Sequence, residues 1–229
     1  MNAQKTRVLI VDDEPQILRF LRTTLGANGF DVMEAATGAE ALRHAAADAP
    51  DVIVLDLGLP DMDGKDVIKK LREWSQTPVV VLSARAREPE KIEALDAGAD
   101  DYVNKPFGIG ELMARLRAAL RHRLKQEGVP PVFKLGSLSV DLVKRAIKRG
   151  ATQVHLTPKE YDLLRVFVQN AGKVVTQRQL LEAVWGPAHV EDASYLRVYI
   201  GQLRRKIESE GEAPLIENEP GVGYRLRDE

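Results

Sequence analysis

The chain predicts an open sheet of parallel strands wrapped by helices, followed by a second, smaller domain of antiparallel strands and helices. Three observations carry this. Five short apolar runs alternate with five helical patterns over residues 7–122, an order that builds a parallel sheet covered on both faces. After Arg123 the pattern stops, and residues 124–131 have the composition of a linker. Beyond it lie short alternating segments, three amphipathic helices and a glycine-bearing tail.

The expected strands of the first half are 7–11, 30–35, 52–56, 78–82 and 101–103. Helices fall near 14–28, 38–47, 64–73, 88–97 and 108–122. Val8-Leu9-Ile10-Val11, Val52-Ile53-Val54-Leu55 and Val79-Val80-Val81-Leu82 are unbroken apolar runs, as strands buried on both faces require. Right-handed crossovers then favour the strand order 2-1-3-4-5, with the first, third and fourth strands central.

In the second half, segments 132–135, 137–142, 146–148 and 154–156 read as a small antiparallel sheet. Thr157-Pro158-Lys159-Glu160 opens a helix, with Thr as cap, Pro in the first turn and Glu reaching back. A second helix starts at Thr176 and ends at Trp185-Gly186-Pro187, a third covers 193–208, and two strands flank residues 219–223. The expected domains are 1–123 and 132–229, joined by 124–131.

Composition bounds the function. Zero cysteines exclude disulfides, thiolate metal sites and cysteine nucleophiles, and suit a reducing cytosol. No long apolar stretch precedes Asp12, and none nears the ~20 residues that span a bilayer, so a cytoplasmic protein without membrane contact is expected. Residues 1–120 hold 15 basic against 20 acidic side chains and the remainder 18 against 14. An acidic front and a mildly basic back fit domains with different partners.

Asp56 ends the third apolar run and Asp12-Asp13 the first, so two strand ends deliver carboxylates to the edge where such sheets bind ligands. Like charges brought together call for a cation, and oxygen ligands suit Mg²⁺. Ser83 ends the fourth strand and Lys105 follows the fifth. A cation, an ammonium and a hydroxyl around one carboxylate make a phosphoryl-transfer constellation with the carboxylate as nucleophile. Each residue alone has a plainer reading: Asp and Ser as helix caps, Lys as a solvated charge. Their joint placement is what argues for chemistry.

Asp12-Asp13, Asp56 with its Leu-Pro-Asp-Met-Asp-Gly loop, Ser83-Ala84 and Lys105-Pro106-Phe107 resemble the receiver domain of response regulators, a flavodoxin-like fold. The resemblance implies that Asp56 accepts phosphate from the phosphohistidine of a sensor histidine kinase. It implies Mg²⁺ held by Asp13, Asp56 and the Gly58 carbonyl, with Asp12 acting through water. Lys105 then pairs with the phosphoryl group before a cis proline bond, Ser83 bonds a phosphoryl oxygen, and Tyr102 changes rotamer as a switch. An edge-strand tyrosine half buried by packing is the plainer alternative for Tyr102. A Mg²⁺-dependent phosphohydrolase with an aspartyl-phosphate intermediate is the rival reading; it ordinarily wants an acid two residues after the nucleophile, where this chain has Gly58.

In the third helix of the second half, Leu196, Ile200, Leu203 and Ile207 recur at helical spacing. The opposite surface presents Ser194, Arg197, Val198, Gln202 and Arg205, with Arg204 and Lys206 beside it and no acid from Ser194 to Ile207. Such a face suits a recognition helix in a major groove; charge alone fits a solvated face equally well. Thr157–Leu164, Val175–Leu181 and Pro220-Gly221-Val222-Gly223-Tyr224-Arg225 resemble the OmpR/PhoB-type winged helix-turn-helix, which implies that Arg225 reaches DNA and that 186–192 faces RNA polymerase. Asp56–Asp61, Lys105–Leu112 and Tyr195–Tyr199 resemble the branch of that family that regulates a potassium-transport operon. The resemblance further implies a phosphorylation-driven homodimer through Lys91, Ile92, Leu95, Asp101, Glu111 and Arg115, with Lys91–Glu111 and Asp101–Arg115 pairs between subunits.

Overall fold

The computed structural model describes residues 5–84, 87–209, 211 and 213–229. They form two compact units that divide between Gly128 and Val129. The first runs β1 (Thr6–Val11), α1 (Pro15–Ala27), β2 (Phe30–Ala35), α2 (Gly38–Asp48), β3 (Val52–Leu55), α3 (Gly64–Arg72), β4 (Val79–Ser83), α4 (Glu88–Asp96), β5 (Asp101–Asn104) and α5 (Ile109–Gln126). All five strands are parallel, in the expected order β2-β1-β3-β4-β5. Every residue of β3 and β4 is buried, because helices cover both faces. Leu9, Val11, Leu55 and Val81 share one core with Val67 and Ile68 of α3 and Ala94 of α4; α1 and α5 contact the strands as well.

One feature of this unit departs from the sequence reading. Residues 124–126, expected in the connector, continue α5. Leu, Lys and Gln are good helix formers, and Arg123 bonds Glu127 at 2.9 Å one turn on. The helix stops at Gly128, whose φ of +72° suits glycine. Gly64 opens α3 so tightly that a Cβ there would lie 2.5 Å from the Asp56 carbonyl oxygen.

The second unit begins with an antiparallel sheet of β6 (Val132–Leu135), β7 (Leu138–Asp141), β8 (Ala146–Arg149) and β9 (Thr152–Val154). The fourth strand sits earlier than the expected 154–156. Arg149 pairs with Thr152 across a two-residue turn, and a turn that short fixes where the return strand starts. Then follow α6 (Pro158–Gln169), β10 (Val174–Thr176), α7 (Gln177–Trp185), a 3-10 turn at Pro187–His189, α8 (Ala193–Ile207), β11 (Ile216–Glu219) and β12 (Gly223–Leu226). β10 is a strand that the sequence does not announce. It pairs with β12, giving the sheet β10-β12-β11. A Cβ on Gly223 would collide with the Val175 carbonyl oxygen, so glycine is what lets β12 close on β10. Thr176 ends β10 and caps α7, accepting from Gln179 N at 3.2 Å while Gln179 Oε1 accepts from Thr176 N at 2.9 Å. Gln177 N also donates to Val222 O at 3.1 Å.

Candidate functional site

Sheet register assembles the first site. Val11 lies beside Leu55 and Leu55 beside Val81, so the next residues, Asp12 and Asp56, leave adjacent strand tips together. Asp56 N donates to Val11 O at 2.8 Å. Ser83 pairs with Asn104, and Lys105 N donates to Ser83 O at 2.9 Å, which brings the lysine to the same edge. The Lys105–Pro106 bond is cis.

The expected charges converge. Lys105 Nζ lies 2.7 Å from Asp12 Oδ2, 3.3 Å from Asp56 Oδ2 and 3.6 Å from Glu14 Oε1. Asp56 Oδ1 accepts from Leu57 N at 2.8 Å and Asp12 Oδ1 from Glu14 N at 3.0 Å. Asp12, Asp56 and Ser83 are buried, whereas Asp13 and Gly58 are exposed. Burial pushes the Asp12 carboxyl up, against the opposing Lys105 and Glu14 N–H hydrogen bonds. Burial also works against the Lys105 ammonium, but the bond to Asp12 and the charge of Asp56 outweigh it and raise the lysine on balance. One oxygen from each of Asp12, Asp13 and Asp56 lies within 4.8 Å of the others. One ammonium among these acids leaves negative charge in excess, and an all-oxygen set of this kind fits a hard cation. Gly58, expected to offer its carbonyl, stands beside this group: a Cβ there would be 3.7 Å from Asp56 Oδ2.

Two acids of the same loop have roles not anticipated. Asp61 accepts Gly38 N at 2.8 Å and Ala39 N at 2.9 Å. These donors at the start of α2 hold its carboxyl below the usual range. Asp63 caps α3 through Lys65 N at 2.9 Å. The loop after Asp56 is thus tied at both ends. A carboxylate bound to amides more than twenty residues away leaves no local signal.

The second site lies on α8. Leu196, Ile200, Leu203 and Ile207 are buried as expected, and Ser194, Arg197, Val198 and Arg205 are exposed, with Gln202 partly so. Arg204 differs. Its guanidinium donates to Ile216 O at 2.6 Å and lies 4.0 Å from Glu208, which ties α8 to β11 instead of pointing it outward. Arg225 is likewise engaged, pairing with Glu219 across the β11–β12 hairpin. Lys206 bonds the buried Glu160 at 2.6 Å, joining α8 to α6. A basic residue on a surface helix carries no mark of whether a carbonyl or an acid elsewhere in the chain already holds it.

Residues 8–117 match the family model "Response regulator receiver domain", and residues 151–226 match "Transcriptional regulatory protein, C terminal". The chain is 56% identical over 222 residues to the KDP operon transcriptional regulatory protein KdpE of Escherichia coli strain K12, covering 96% of this chain and 99% of that one. It is 53% identical over 224 residues to the transcriptional regulatory protein KdpE of Mycobacterium tuberculosis H37Rv, with the same coverage. Among solved structures, the Francisella response regulator 1452 receiver domain matches with a TM-score of 0.50 and 39% identity over 52% of this chain and 98% of that one. The chain belongs to the response regulators of the OmpR/PhoB type.

This response regulator therefore has a receiver domain that takes its signal from a histidine kinase and a DNA-binding domain that acts on transcription. Among its described residues no helix is long and apolar enough to cross a membrane. In the receiver, Tyr102 is packed into the core although β5 is an edge strand, buried more deeply than the plainer expectation had it. Ile92 and Leu95 are exposed on α4. Arg115 bonds Asp101 at 3.1 Å and approaches Glu111 at 3.6 Å, both within one chain. The expected Asp101–Arg115 pair is thus already made inside the subunit.

Proposed function

We propose that this regulator accepts a phosphoryl group on Asp56 from a KdpD-like sensor histidine kinase, dimerises, and binds promoter DNA to control a potassium-transport operon. The observation that carries the proposal is the convergence of Lys105 on Asp12 and Asp56 at one sheet edge. A carboxylate oxygen of Asp56 attacks phosphorus, the bond to the kinase imidazole breaks, and Lys105 neutralises charge on the transferred group. Asp12, Asp13, Asp56 and the Gly58 carbonyl would hold Mg²⁺, which supplies further charge neutralisation when bound. Ser83 bonds a phosphoryl oxygen and Tyr102 answers as the switch. Phosphate adds about two negative charges beside Asp12, so Lys105 exchanges its aspartate partners for the phosphoryl group.

The output follows from exposure. Lys91, Ile92, Leu95, Asp101, Glu111 and Arg115 form the dimer face. Because Arg115 already pairs within its subunit, the charged contacts gain little on association, and burial of Ile92 and Leu95 carries more of it. On DNA, Ser194, Arg197, Val198, Gln202 and Arg205 face the groove. Arg204 and Arg225 support that surface from within their present contacts and meet DNA only by giving them up. Residues 186–192 face RNA polymerase. The regulator is a switch that turns over no substrate, and it works in the cytoplasm.

The test is phosphorylation of purified protein by a small phosphodonor with Mg²⁺, followed by footprinting on the operon's promoter. One alkali- and hydroxylamine-labile phosphate per chain, lost on Asp56→Asn and blocked by chelation, together with protection of the promoter, is the expected result. Sustained turnover of phosphate esters would instead make it a phosphohydrolase.

A further inference from the structure

Lys65 lies in the first turn of α3, directly after Gly64, whose missing side chain lets this turn rest on the Asp56 backbone. Its ammonium crosses to α4, 2.6 Å from Glu93 and 3.4 Å from Glu90. Between the two helices runs an open groove of about 740 Å³, lined by Asp63, Lys65, Asp66, Lys69, Arg72 and Glu93 among others. α4 needs such a tie, because it buries only one of its residues, Ala94. A helix with one buried contact has little apolar packing to fix its place.

The far end of α4 is held differently. Arg72 Nε donates to Gly98 O at 3.0 Å, and its terminal nitrogens bond Thr77 O at 2.8 Å and Asp100 Oδ2 at 2.9 Å. Asp100 Oδ2 also accepts Val79 N at 2.8 Å. The planar guanidinium thus meets fixed backbone acceptors at the root of β4. Lys65 instead meets two flexible carboxylates, one of them largely exposed. Contact with Glu93 raises the Lys65 ammonium against the opposing effect of burial. One end of α4 has a rigid anchor and the other a releasable one.

We infer that Lys65 is a positioning residue: a latch that couples the loop of the phosphate acceptor to α4 and holds Ile92 and Leu95 in place, with Arg72 as the pivot. The effect on dimerisation rests on the dimer face proposed above; the effect on α4 itself does not. The test compares full-length wild type with Lys65→Met, Lys65→Arg and the swap Lys65→Glu/Glu93→Lys. It reads amide hydrogen exchange along residues 88–96, phosphorylation by a small donor, and dimerisation after phosphorylation. In Lys65→Met, exchange along α4 rises by about three- to five-fold, the scale of a partly exposed ion pair. Dimerisation weakens by the same factor, while phosphorylation rate stays within about two-fold, a range too small to mark lost catalysis. Arginine and the charge swap restore both. Arg72→Met lowers Tm of the whole receiver. Unchanged α4 exchange in Lys65→Met overturns the inference, as does acceleration spread equally over α2 and α5. Faster α4 exchange with unaltered dimerisation upholds the latch and removes the dimer face instead.

Discussion

The receiver's acidic edge and the basic face of α8 both gather charge, and they do so in opposite ways. At the edge, buried Asp12 and Asp56 meet Lys105 within 3.3 Å, and backbone amides hold both acids. On α8, Arg197 and Arg205 extend from an exposed surface, and the neighbouring Arg204 and Lys206 are spent on β11 and α6. The first arrangement is assembled before any ligand arrives, as the proposed phosphoryl transfer requires. The second leaves exposed cations that, under the proposed function, meet phosphates and base edges whose positions DNA supplies. Under the proposed function burial has opposite meanings in the two places: at the edge it goes with the phosphoryl chemistry, and on the helix with contacts inside the domain.

The sharpest way to break this contrast is Asp56→Asn. It should reduce covalent phosphate to background while leaving the affinity of the isolated α8 face for DNA unaltered, measured by phosphate incorporation and gel shift. Next in size, Arg197→Ala should cost about 1–3 kcal/mol of specific DNA binding with no change in Tm. Arg204→Ala should do the reverse, lowering Tm while binding per folded molecule changes little. Equal effects of the two on binding would mean that Arg204 leaves Ile216 for the DNA.

Glu160→Gln should destabilise the winged-helix domain by about 1–2 kcal/mol, since Lys206 loses a charged acceptor. Burial opposes ionisation of Glu160, but the hydrogen bonds from Lys206 and Thr157 N outweigh it and hold the carboxyl below its usual range. Its folded pKa thus lies below the unfolded one. Its contribution is complete above the unfolded value of about 4.3 and is lost as pH falls through the folded one. The Tm gap between wild type and Glu160→Gln should accordingly close on acidification, as followed by thermal melts. The smallest effect belongs to Arg115→Ala, which removes exposed contacts to Asp101 and Glu111 and should change stability by less than about 1 kcal/mol.

What could be read from sequence follows the same division. Strand runs such as Val52–Leu55 are local signals, and once the strand order is set, their ends must meet; Asp12, Asp56, Ser83 and Lys105 were legible for that reason. The buried stripe of α8 was legible through its period. Arg204, Arg225 and Lys206 were not, because a partner on β11 or α6 leaves no trace near the residue itself. Asp61 and Lys65 escaped for the same cause. β10 escaped for another: three residues are too few to show a strand's alternation, and its pairing with β12 bridges almost fifty positions.

β10 also bears on how promoter sequence is measured. Its last residue starts α7, its middle carbonyl presses on Gly223, and Gln177 bonds the tip of the hairpin through Val222. The start of α7 and the hairpin are thereby tied to each other through β10. Under the proposed function, a wrong base under α8 costs its local contacts alone, whereas one inserted base pair between α8 and the hairpin puts both out of step, so this reader should forgive spelling more readily than spacing.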